Sequence, residues 1–402
     1  MKRLFLGFAA VTVVLSAVLS GLIFDRENVA KVFAMDGQFD ETIITSGSDN
    51  LDFDCKSAYL IDYNSATVIF EKNADERYPI ASMCKIMTLL LTFEAIDSGD
   101  VFFETPIVIS QNASSMGGSQ AFLEANNSYI VSDLIKSIVI ASANDSSVAL
   151  AETIKGSENA FVDRMNERAK ELCMDNTLFA NCTGLPKPSQ YSSAKDVSIM
   201  TRELLKHKEY YNYSTIWMDK MNHAKGRVTE LTNTNKLVKF YNGCDSGKTG
   251  YTTEAKHCLS ASAMRDGTRL VATVIGANDS KTRFAGVSSM FNYGFSNYKN
   301  VLIIDKAKVL SSILVTSGKE KQINLVCEND YNIFSKKGEE KLYQINYEIP
   351  EVIKAPITAG DIVGKALIIK DNKVIGEVNV ITETSIARKT YFDNLKEIVH
   401  GW

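Results

Sequence analysis

Ser82 and Lys85 are the first pair of residues in this chain with the types and spacing needed for acyl transfer. They belong to Ser82-Met83-Cys84-Lys85, at the start of a strongly apolar stretch, so a helix would place both side chains on one face. A serine hydroxyl is a weak nucleophile at neutral pH. A lysine can take its proton only if burial and a second nearby cation lower the lysine pKa well below about 10.4. We therefore predict a nucleophile and its general base.

Ser142-Ala143-Asn144 is the second motif, and it lies where one apolar helical stretch ends and the next begins. A short loop between helices can direct side chains into a cleft. Ser142 is suited to relay a proton between a leaving amine and the lysine, and Asn144 to hold a substrate amide and the lysine. Both are predicted to be catalytic.

Lys248-Thr249-Gly250 is the third motif, and Tyr251 follows it immediately. It leads into a predicted strand pair, so we expect an edge strand that faces the cleft. Such a strand has unpaired N–H and C=O groups that can bind an extended peptide. Lys248 would bind a substrate carboxylate, Thr249 would provide a second donor, and Gly250 would allow close approach of the backbone.

The order of the three motifs distinguishes them from chance matches. The pattern S-x-x-K also occurs at Ser192 to Lys195 and at Ser296 to Lys299, but neither is followed by an apolar helix and then by the other two motifs. The triplet Ser48-Asp49-Asn50 resembles the second motif, yet it precedes the nucleophile. We therefore assign the site to the ordered set that begins at Ser82.

Composition excludes several classes of function. The 402 residues contain 44 Lys and Arg against 48 Asp and Glu, so no broad basic surface predicts nucleic-acid binding. Seven cysteines without a close C-x-x-C pair, and four widely separated histidines, do not have the spacing of a zinc site. We predict no metal and no cofactor.

The two ends of the chain predict export and a membrane contact. Lys2 and Arg3 precede an uncharged run over residues 4–24. Residues 1–34 are therefore predicted to be either a signal peptide cleaved after Ala34 or an uncleaved signal anchor. Residues 35–50 are predicted to be an acidic linker. Residues 385–402 are predicted to form an amphipathic helix that lies on a membrane surface or docks on its own domain. We expect the protein at the extracytoplasmic face of the cytoplasmic membrane.

The pattern of apolar residues divides the folded part of the chain into two predicted domains. Residues 51–297 are predicted to be α+β, with a hairpin at 57–71, a second strand pair at 258–276, and the helices between the first and last strands. The expected helical stretches are 86–96, 131–140, 146–154 and 159–173. Residues 298–384 contain short β-branched runs between turn residues, which predicts a small all-β domain without a catalytic site.

With its motifs in the order S-x-x-K, S-x-N and K-T-G, the chain resembles the penicillin-binding proteins and serine β-lactamases. Longer runs resemble the D-alanyl-D-alanine carboxypeptidases of low molecular weight, and these are residues 77–83, 114–119, 142–152, 176–185 and 233–237. The resemblance implies a β-lactamase/transpeptidase-like catalytic domain, an antiparallel sheet with a helical cluster, followed by a small all-β domain and a membrane-associating helix.

By the same resemblance, the activity would be removal of the terminal D-alanine from peptidoglycan pentapeptides through an acyl-serine intermediate. Ser82 would be the nucleophile, Lys85 its base, Ser142 and Asn144 the proton relay and amide contact, and Lys248 with Thr249 the carboxylate clamp. The backbone N–H groups of Ser82 and Tyr251 would form the oxyanion hole. The expected partners are the pentapeptide, β-lactam antibiotics, which would acylate Ser82, and the membrane surface.

Three positions depart from the family pattern, and two other functions stay open. Cys84 stands where Thr is common, Ala143 where Gly is common, and Lys256-His257 where a Gly-aromatic pair is usual. A serine β-lactamase would need a base for deacylation, and no convincing Glu-x-x-Leu-Asn loop is present. A penicillin-sensing or wall-binding protein without catalysis is the second alternative.

Overall fold

The computed structural model describes residues 51–393 and residue 395. The predicted leader (1–34) and acidic linker (35–50) lie outside these residues and stay predictions. In the described part of the chain, no helix is both long and apolar enough to cross a bilayer.

The strands in chain order are β1 (Ser57–Asp62), β2 (Val68–Lys72), β3 (Pro106–Val108), β4 (Ser128–Ile130), β5 (Met218–Asn222), β6 (Val228–Thr232), β7 (Cys244–Thr252), β8 (Lys256–Arg265), β9 (Thr268–Ala277), β10 (Tyr298–Ile304), β11 (Ser311–Thr316), β12 (Gln322–Cys327), β13 (Tyr331–Lys336), β14 (Tyr343–Glu348), β15 (Val352–Lys354), β16 (Ile362–Lys370) and β17 (Lys373–Thr382). The α-helices are α1 (Lys85–Asp97), α2 (Gln111–Ser114), α3 (Val131–Ala141), α4 (Asn144–Lys155), α5 (Glu158–Glu171), α6 (Ala194–Leu204), α7 (Tyr211–Ser214), α8 (Leu237–Phe240) and α9 (Ser280–Asn297). Short 3-10 helices cover Ala81–Cys84, Lys208–Tyr210, Ala224–Gly226 and Glu340–Leu342.

An antiparallel five-stranded sheet with the order β2-β1-β9-β8-β7 forms the centre of the first domain, residues 51–297. Strand β1 is buried along its whole length, so both faces of the sheet are covered. Tyr59 and Ile61 pack into the core formed with the helical cluster, whereas Ala58 and Leu60 pack into the core shared with α9. Alternation along the strand therefore supplies two cores, one on each side of the sheet.

The predicted elements of this domain are present, with one correction. The hairpin and the second strand pair are β1–β2 and β8–β9, and the four predicted helices are α1, α3, α4 and α5. Helix α9 follows the last strand of the sheet, so the expectation that the helices lie between the first and last strands is wrong. Helix α9 contains many polar residues, which make its helical pattern of apolar residues hard to detect in the sequence. Its residues Phe284, Val287 and Phe291 nevertheless recur at helical spacing and are buried against the sheet.

Residues from Tyr298 onward form the all-β domain, in a six-stranded sheet with the order β14-β16-β17-β12-β11-β15 and a two-stranded pair β10-β13. The five predicted runs correspond to β10, β11, β12, β16 and β17, whereas β13, β14 and β15 were not predicted.

The boundary at 384 needs correction. Ile386 and Arg388 form bridges with Ile357 and Gly318, because burial of Ile386 in the domain core holds this segment extended. The predicted terminal helix therefore does not start at 385. Residues 394 and 396–402 lie outside the described residues, and that helix stays a prediction.

Candidate active site

Ser82 lies in the 3-10 turn Ala81–Cys84, which continues directly into α1 at Lys85. Helix α1 is buried on nearly all sides, so its first residues lie in the interior of the domain. The Ser82 side chain is partly exposed, whereas Lys85 is 0% exposed. Lys85 Nζ donates to Ser82 Oγ at 3.1 Å and to the carbonyl oxygen of Thr183. The predicted nucleophile and base are therefore in direct contact.

Burial lowers the pKa of the Lys85 ammonium to about 8, because removal from water disfavours the charged form. Electrostatic interactions with Cys84, Cys182 and Asp145 raise the pKa of Lys85, but they are weaker than the effect of burial. At neutral pH a fraction of the Lys85 side chains is a neutral amine. Such an amine can accept the proton of the Ser82 hydroxyl.

Ser142 caps α3 and connects it to α4 with a left-handed backbone, φ 63°. This conformation is costly for a residue other than glycine and is common at functional sites. The Ser142 hydroxyl accepts a hydrogen bond from Lys248 Nζ at 2.8 Å. The second and third motifs are therefore joined across the cleft.

Lys248 and Thr249 lie on β7, which is the edge strand of the sheet, as predicted. Lys248 is only 2% exposed, and burial together with the charges of Lys85 and Arg283 lowers its pKa well below the ordinary value. Thr249 Oγ1 donates to Thr234 Oγ1 at 2.8 Å. Each side chain is therefore held by a hydrogen bond to another segment of the chain, Lys248 by Ser142 and Thr249 by Thr234.

Asn144 begins α4, and its contacts differ from the sequence expectation. Its side-chain Nδ2 donates to the carbonyl oxygen of Gly117 at 2.7 Å rather than contacting a lysine. The next residue, Asp145, accepts hydrogen bonds from the backbone N–H groups of Ala121 and Leu123. Asn144 and Asp145 therefore fix the loop 117–123 against the start of α4.

Gly250 allows β7 to pack closely against the chain that precedes Ser82. A Cβ atom on Gly250 would lie 2.6 Å from the carbonyl oxygen of Ile80, closer than side-chain carbons approach in proteins. Gly184, with φ +81°, makes a similar approach to the carbonyl oxygen of Ala81. The next residue of β7, Tyr251, is 60% exposed, and its ring lies 4.5 Å from the ring of His257.

Arg283 was not identified from the sequence. It is 7% exposed on α9, and its Nη1 lies 3.3 Å from the carbonyl oxygen of Cys258 and 3.5 Å from that of Gly250. Its cation helps to lower the pKa of Lys248, and burial lowers its own pKa to about 10. The only available signal was a charged residue inside the apolar pattern of α9, and the sequence does not connect that position with Lys248.

Cys84 is fully buried beside the site and does not face Ser82. Its Sγ lies 3.1 Å from the carbonyl oxygen of Asn181, and burial raises its pKa to about 12, so the thiol is protonated. Within residues 51–393 and 395, the structure has no group of three His, Cys, Asp or Glu side chains arranged for a metal ion.

The fold and these contacts define a class of protein. A serine hydroxyl activated by a buried lysine, opposite a cationic edge strand, is the arrangement of the penicillin-binding proteins and serine β-lactamases.

Comparison with known proteins is more specific. The family model described as D-alanyl-D-alanine carboxypeptidase matches residues 44–279, and the model described as penicillin-binding protein 5, C-terminal domain, matches residues 298–388. The chain belongs to the D-alanyl-D-alanine carboxypeptidase family, and the expected fold of a catalytic domain followed by a small all-β domain is confirmed.

Individual relatives are similar to this chain over most of its length. The D-alanyl-D-alanine carboxypeptidase DacF of Bacillus subtilis is 40% identical over 351 residues, covering 87% of this chain and 90% of the relative. The carboxypeptidase DacA of Escherichia coli is 30% identical over 361 residues, covering 87% and 89%. The crystal structure of penicillin-binding protein 5 from Haemophilus influenzae gives a TM-score of 0.68 at 28% identity, covering 85% of this chain and 100% of that structure.

Proposed function

We propose that this protein is a serine D-alanyl-D-alanine carboxypeptidase that removes the terminal D-alanine of peptidoglycan pentapeptides through an acyl-serine intermediate. Family membership supports the reaction type. The observation that carries the residue assignment is the 3.1 Å contact between Ser82 Oγ and the buried Nζ of Lys85. This contact provides a nucleophile with a base of suitably low pKa.

In the acylation step, neutral Lys85 accepts the Ser82 proton as Oγ attacks the carbonyl carbon of the penultimate D-alanine. The carbonyl oxygen becomes an oxyanion, which the backbone N–H groups of Ser82 and Tyr251 would receive. The close packing of Gly250 against Ile80 favours this arrangement, because it brings the strand that carries Tyr251 next to the turn that carries Ser82.

Collapse of the tetrahedral intermediate breaks the C–N bond to the terminal D-alanine, whose nitrogen must gain a proton. Ser142 is the proposed relay for the proton held by Lys85. Because Lys248 donates to Ser142 Oγ, the Ser142 hydroxyl hydrogen remains available for the leaving amine. In deacylation a water attacks the acyl-serine ester and its proton passes to Lys85. The C–O bond to Ser82 then breaks as Lys85 returns that proton to Ser82 Oγ, which restores the free hydroxyl and the neutral amine.

Lys248 and Thr249 are the proposed clamp for the terminal carboxylate. Both lie on the edge strand beside the cleft, and Arg283 behind that strand adds positive charge. The Asn144 amide would contact the substrate amide while it holds the Gly117 loop. A β-lactam antibiotic presents a carboxylate near an acyl carbonyl, so the same groups would direct it to acylate Ser82.

We also propose that the protein acts at the extracytoplasmic face of the cytoplasmic membrane. The charged start followed by an apolar run supports export, and the exposure of Tyr391 and Phe392 at 75% and 71% supports a membrane contact at the far end of the chain.

Release of D-alanine from a diacylated L-lysyl-D-alanyl-D-alanine peptide tests the activity. We expect D-alanine release, measured with a coupled D-amino acid oxidase assay, and its inhibition by penicillin. Penicillin hydrolysis without D-alanine release would instead identify a β-lactamase. Covalent penicillin labelling without either hydrolysis would identify a penicillin-sensing protein.

A further inference from the structure

Strand β14 (Tyr343–Glu348) is one edge of the six-stranded sheet in the all-β domain. It is the first strand in the order of that sheet, so within the described part of the chain it pairs with β16 only. The backbone N–H and C=O groups of a strand point alternately to its two sides, and those that point away from the sheet can pair with another strand. The all-β domain therefore has a row of hydrogen-bonding groups along β14.

Strand β14 lacks the features that usually protect a sheet edge. Natural edge strands are protected when they are short, charged or interrupted by proline. The opposite edge of the same sheet, β15, is three residues long, and β2, an edge of the five-stranded sheet, ends in Glu71-Lys72. By contrast, β14 is six residues long, and its first five residues include neither a charged residue nor a proline. It is therefore suited to pair with a further strand.

The order of residue types in β14 is the same in both directions. Its first five residues are Tyr-Gln-Ile-Asn-Tyr, so a primary amide lies on each side of Ile345 and a tyrosine lies at each end. When two copies of such a strand pair antiparallel about a twofold axis through Ile345, each residue faces its symmetric counterpart. Tyr343 then faces Tyr347 of the second copy, and Gln344 faces Asn346 of the second copy. The strand is therefore complementary to itself.

Backbone hydrogen bonding is compatible with this register. In an antiparallel pair, a residue whose N–H and C=O groups point to the neighbouring strand faces a residue that does the same. Such residues alternate along each strand, so the twofold axis must pass through a residue and not between two residues. An axis through Ile345 meets this condition. It also pairs aromatic rings with aromatic rings, which stabilises a sheet, and amides with amides, which can hydrogen-bond to each other.

The side chains of β14 leave the strand accessible while it is held on its domain. Gln344 and Asn346 are exposed on one face of the strand, and Tyr347 is 39% exposed on the other. Tyr343 is half-buried, and its hydroxyl donates to Ser335 Oγ of β13 at 3.1 Å. A second copy can therefore reach the amides and Tyr347 without displacing the strand.

We propose that β14 is a self-association surface, at which two copies of this chain pair antiparallel about a twofold axis through Ile345. The pairing joins the six-stranded sheets of the two copies into one sheet. Because β15, at the other edge, has a different and shorter sequence, the association ends at the dimer. A contact between two strand edges buries less surface than a stable dimer usually does, so the fraction of dimer depends on protein concentration.

Disulfide cross-linking of the full-length protein in a nonionic detergent tests the register. Cys173 is exposed and the other cysteines are buried, so every variant also carries Cys173→Ser. Gln344→Cys copies mixed with Asn346→Cys copies should give a disulfide-linked dimer on mild oxidation, read by non-reducing electrophoresis, because these two positions face each other. Either variant alone should give little, since its own cysteines lie diagonally and beyond disulfide reach. Equal cross-linking in the mixture and in the single variants, or none in any sample, overturns the proposal.

Charge substitutions test the same contact at equilibrium. In Gln344→Lys/Asn346→Lys, lysines face lysines at both symmetric pairs, so the dissociation constant from analytical ultracentrifugation should rise about tenfold. Gln344→Lys/Asn346→Glu places opposite charges at the same pairs and should retain the dimer. Val352→Lys, at an exposed position on β15, is the matched control and should leave the dissociation constant unchanged. The melting temperature of each variant verifies folding. A wild type that is monomeric at every concentration, or equal dissociation constants for the two double variants, contradicts self-association through β14.

Discussion

Lys248 Nζ lies 2.8 Å from Ser142 Oγ, although 106 residues of chain separate the two. One side chain comes from the edge strand of the sheet and the other from the loop between α3 and α4. The bond therefore joins the sheet to the helical cluster at the candidate active site. It also places the proposed carboxylate clamp next to the proposed proton relay.

Ser82→Ala should abolish covalent labelling by a fluorescent penicillin, because the acyl bond would form on that oxygen. Labelling is read as fluorescence of the protein band after denaturing electrophoresis. Ser296→Ala is the matched control, since Ser296 starts another S-x-x-K match, is exposed, and should label like the wild type. Persistent labelling of Ser82→Ala would remove the nucleophile assignment.

The rate of acylation should rise with pH and level off above about pH 8. Lys85 accepts a proton only when it is neutral, and its pKa is lowered to about 8. Below that value the neutral fraction, and with it the rate, should increase about tenfold per pH unit. The measurement is the second-order rate constant for a chromogenic β-lactam between pH 6 and 10, with the melting temperature at each pH as a check of folding. A rate independent of pH in this range contradicts the role of Lys85.

Lys248→Gln should reduce kcat/KM for peptides with a free terminal carboxylate by about a hundredfold, the size of a lost charge-assisted hydrogen bond in a buried site. Peptides that end in D-alaninamide lack this charge. The wild type should strongly prefer the acid to the amide, and Lys248→Gln should lose that preference. The comparison of acid and amide in each protein separates carboxylate binding from general damage. An undiminished preference in the variant would place the clamp elsewhere.

Gly250→Ala should lower both stability and activity, because the new Cβ would lie 2.6 Å from the carbonyl oxygen of Ile80. Overpacking of this kind costs about 1–3 kcal/mol, which corresponds to a fall of several degrees in melting temperature. Gly117→Ala is the control for stability, since its Cβ would have no heavy atom within 4 Å. Calorimetry of both variants is the measurement, and an equal effect of the two changes would contradict the close approach of β7.

Replacement of Phe392 by Glu should weaken binding of the full-length protein to lipid vesicles. Phe392 is 71% exposed, and it belongs to the apolar face predicted for the end of the chain. Flotation with vesicles that contain anionic lipid measures the bound fraction. Exposed Val309 of the β domain, at 43%, provides the control Val309→Glu, which should leave binding unchanged. Equal flotation of Phe392→Glu and the wild type would favour docking of this segment on the protein.

Local patterns predicted the elements that carry the proposed catalytic groups. The apolar run after Ser82 predicted α1, the change of pattern around Ser142 predicted a loop between two helices, and the two runs that flank the Asp266-Gly267 turn predicted β8 and β9. The contacts of Asn144 were not predicted, because its partner Gly117 lies in a loop of irregular structure. Arg283 was missed for a similar reason, since its distance from Gly250 depends on how α9 packs on the sheet.

The amino-acid sequence by itself determined that Ser82 and Lys85 are neighbours, because residues three apart on a helix are close whatever the rest of the fold does. It also determined the order of the three motifs and the division into an α+β and an all-β domain. Only the tertiary structure decided the chemical state of these groups. Lys85 has a lowered pKa because it is removed from water by α1 and the Thr183 segment. Lys248 has a lowered pKa because it is buried and because Lys85 and Arg283 lie near it. Burial and the distances between charges arise from packing of segments far apart in the chain, which no local pattern records.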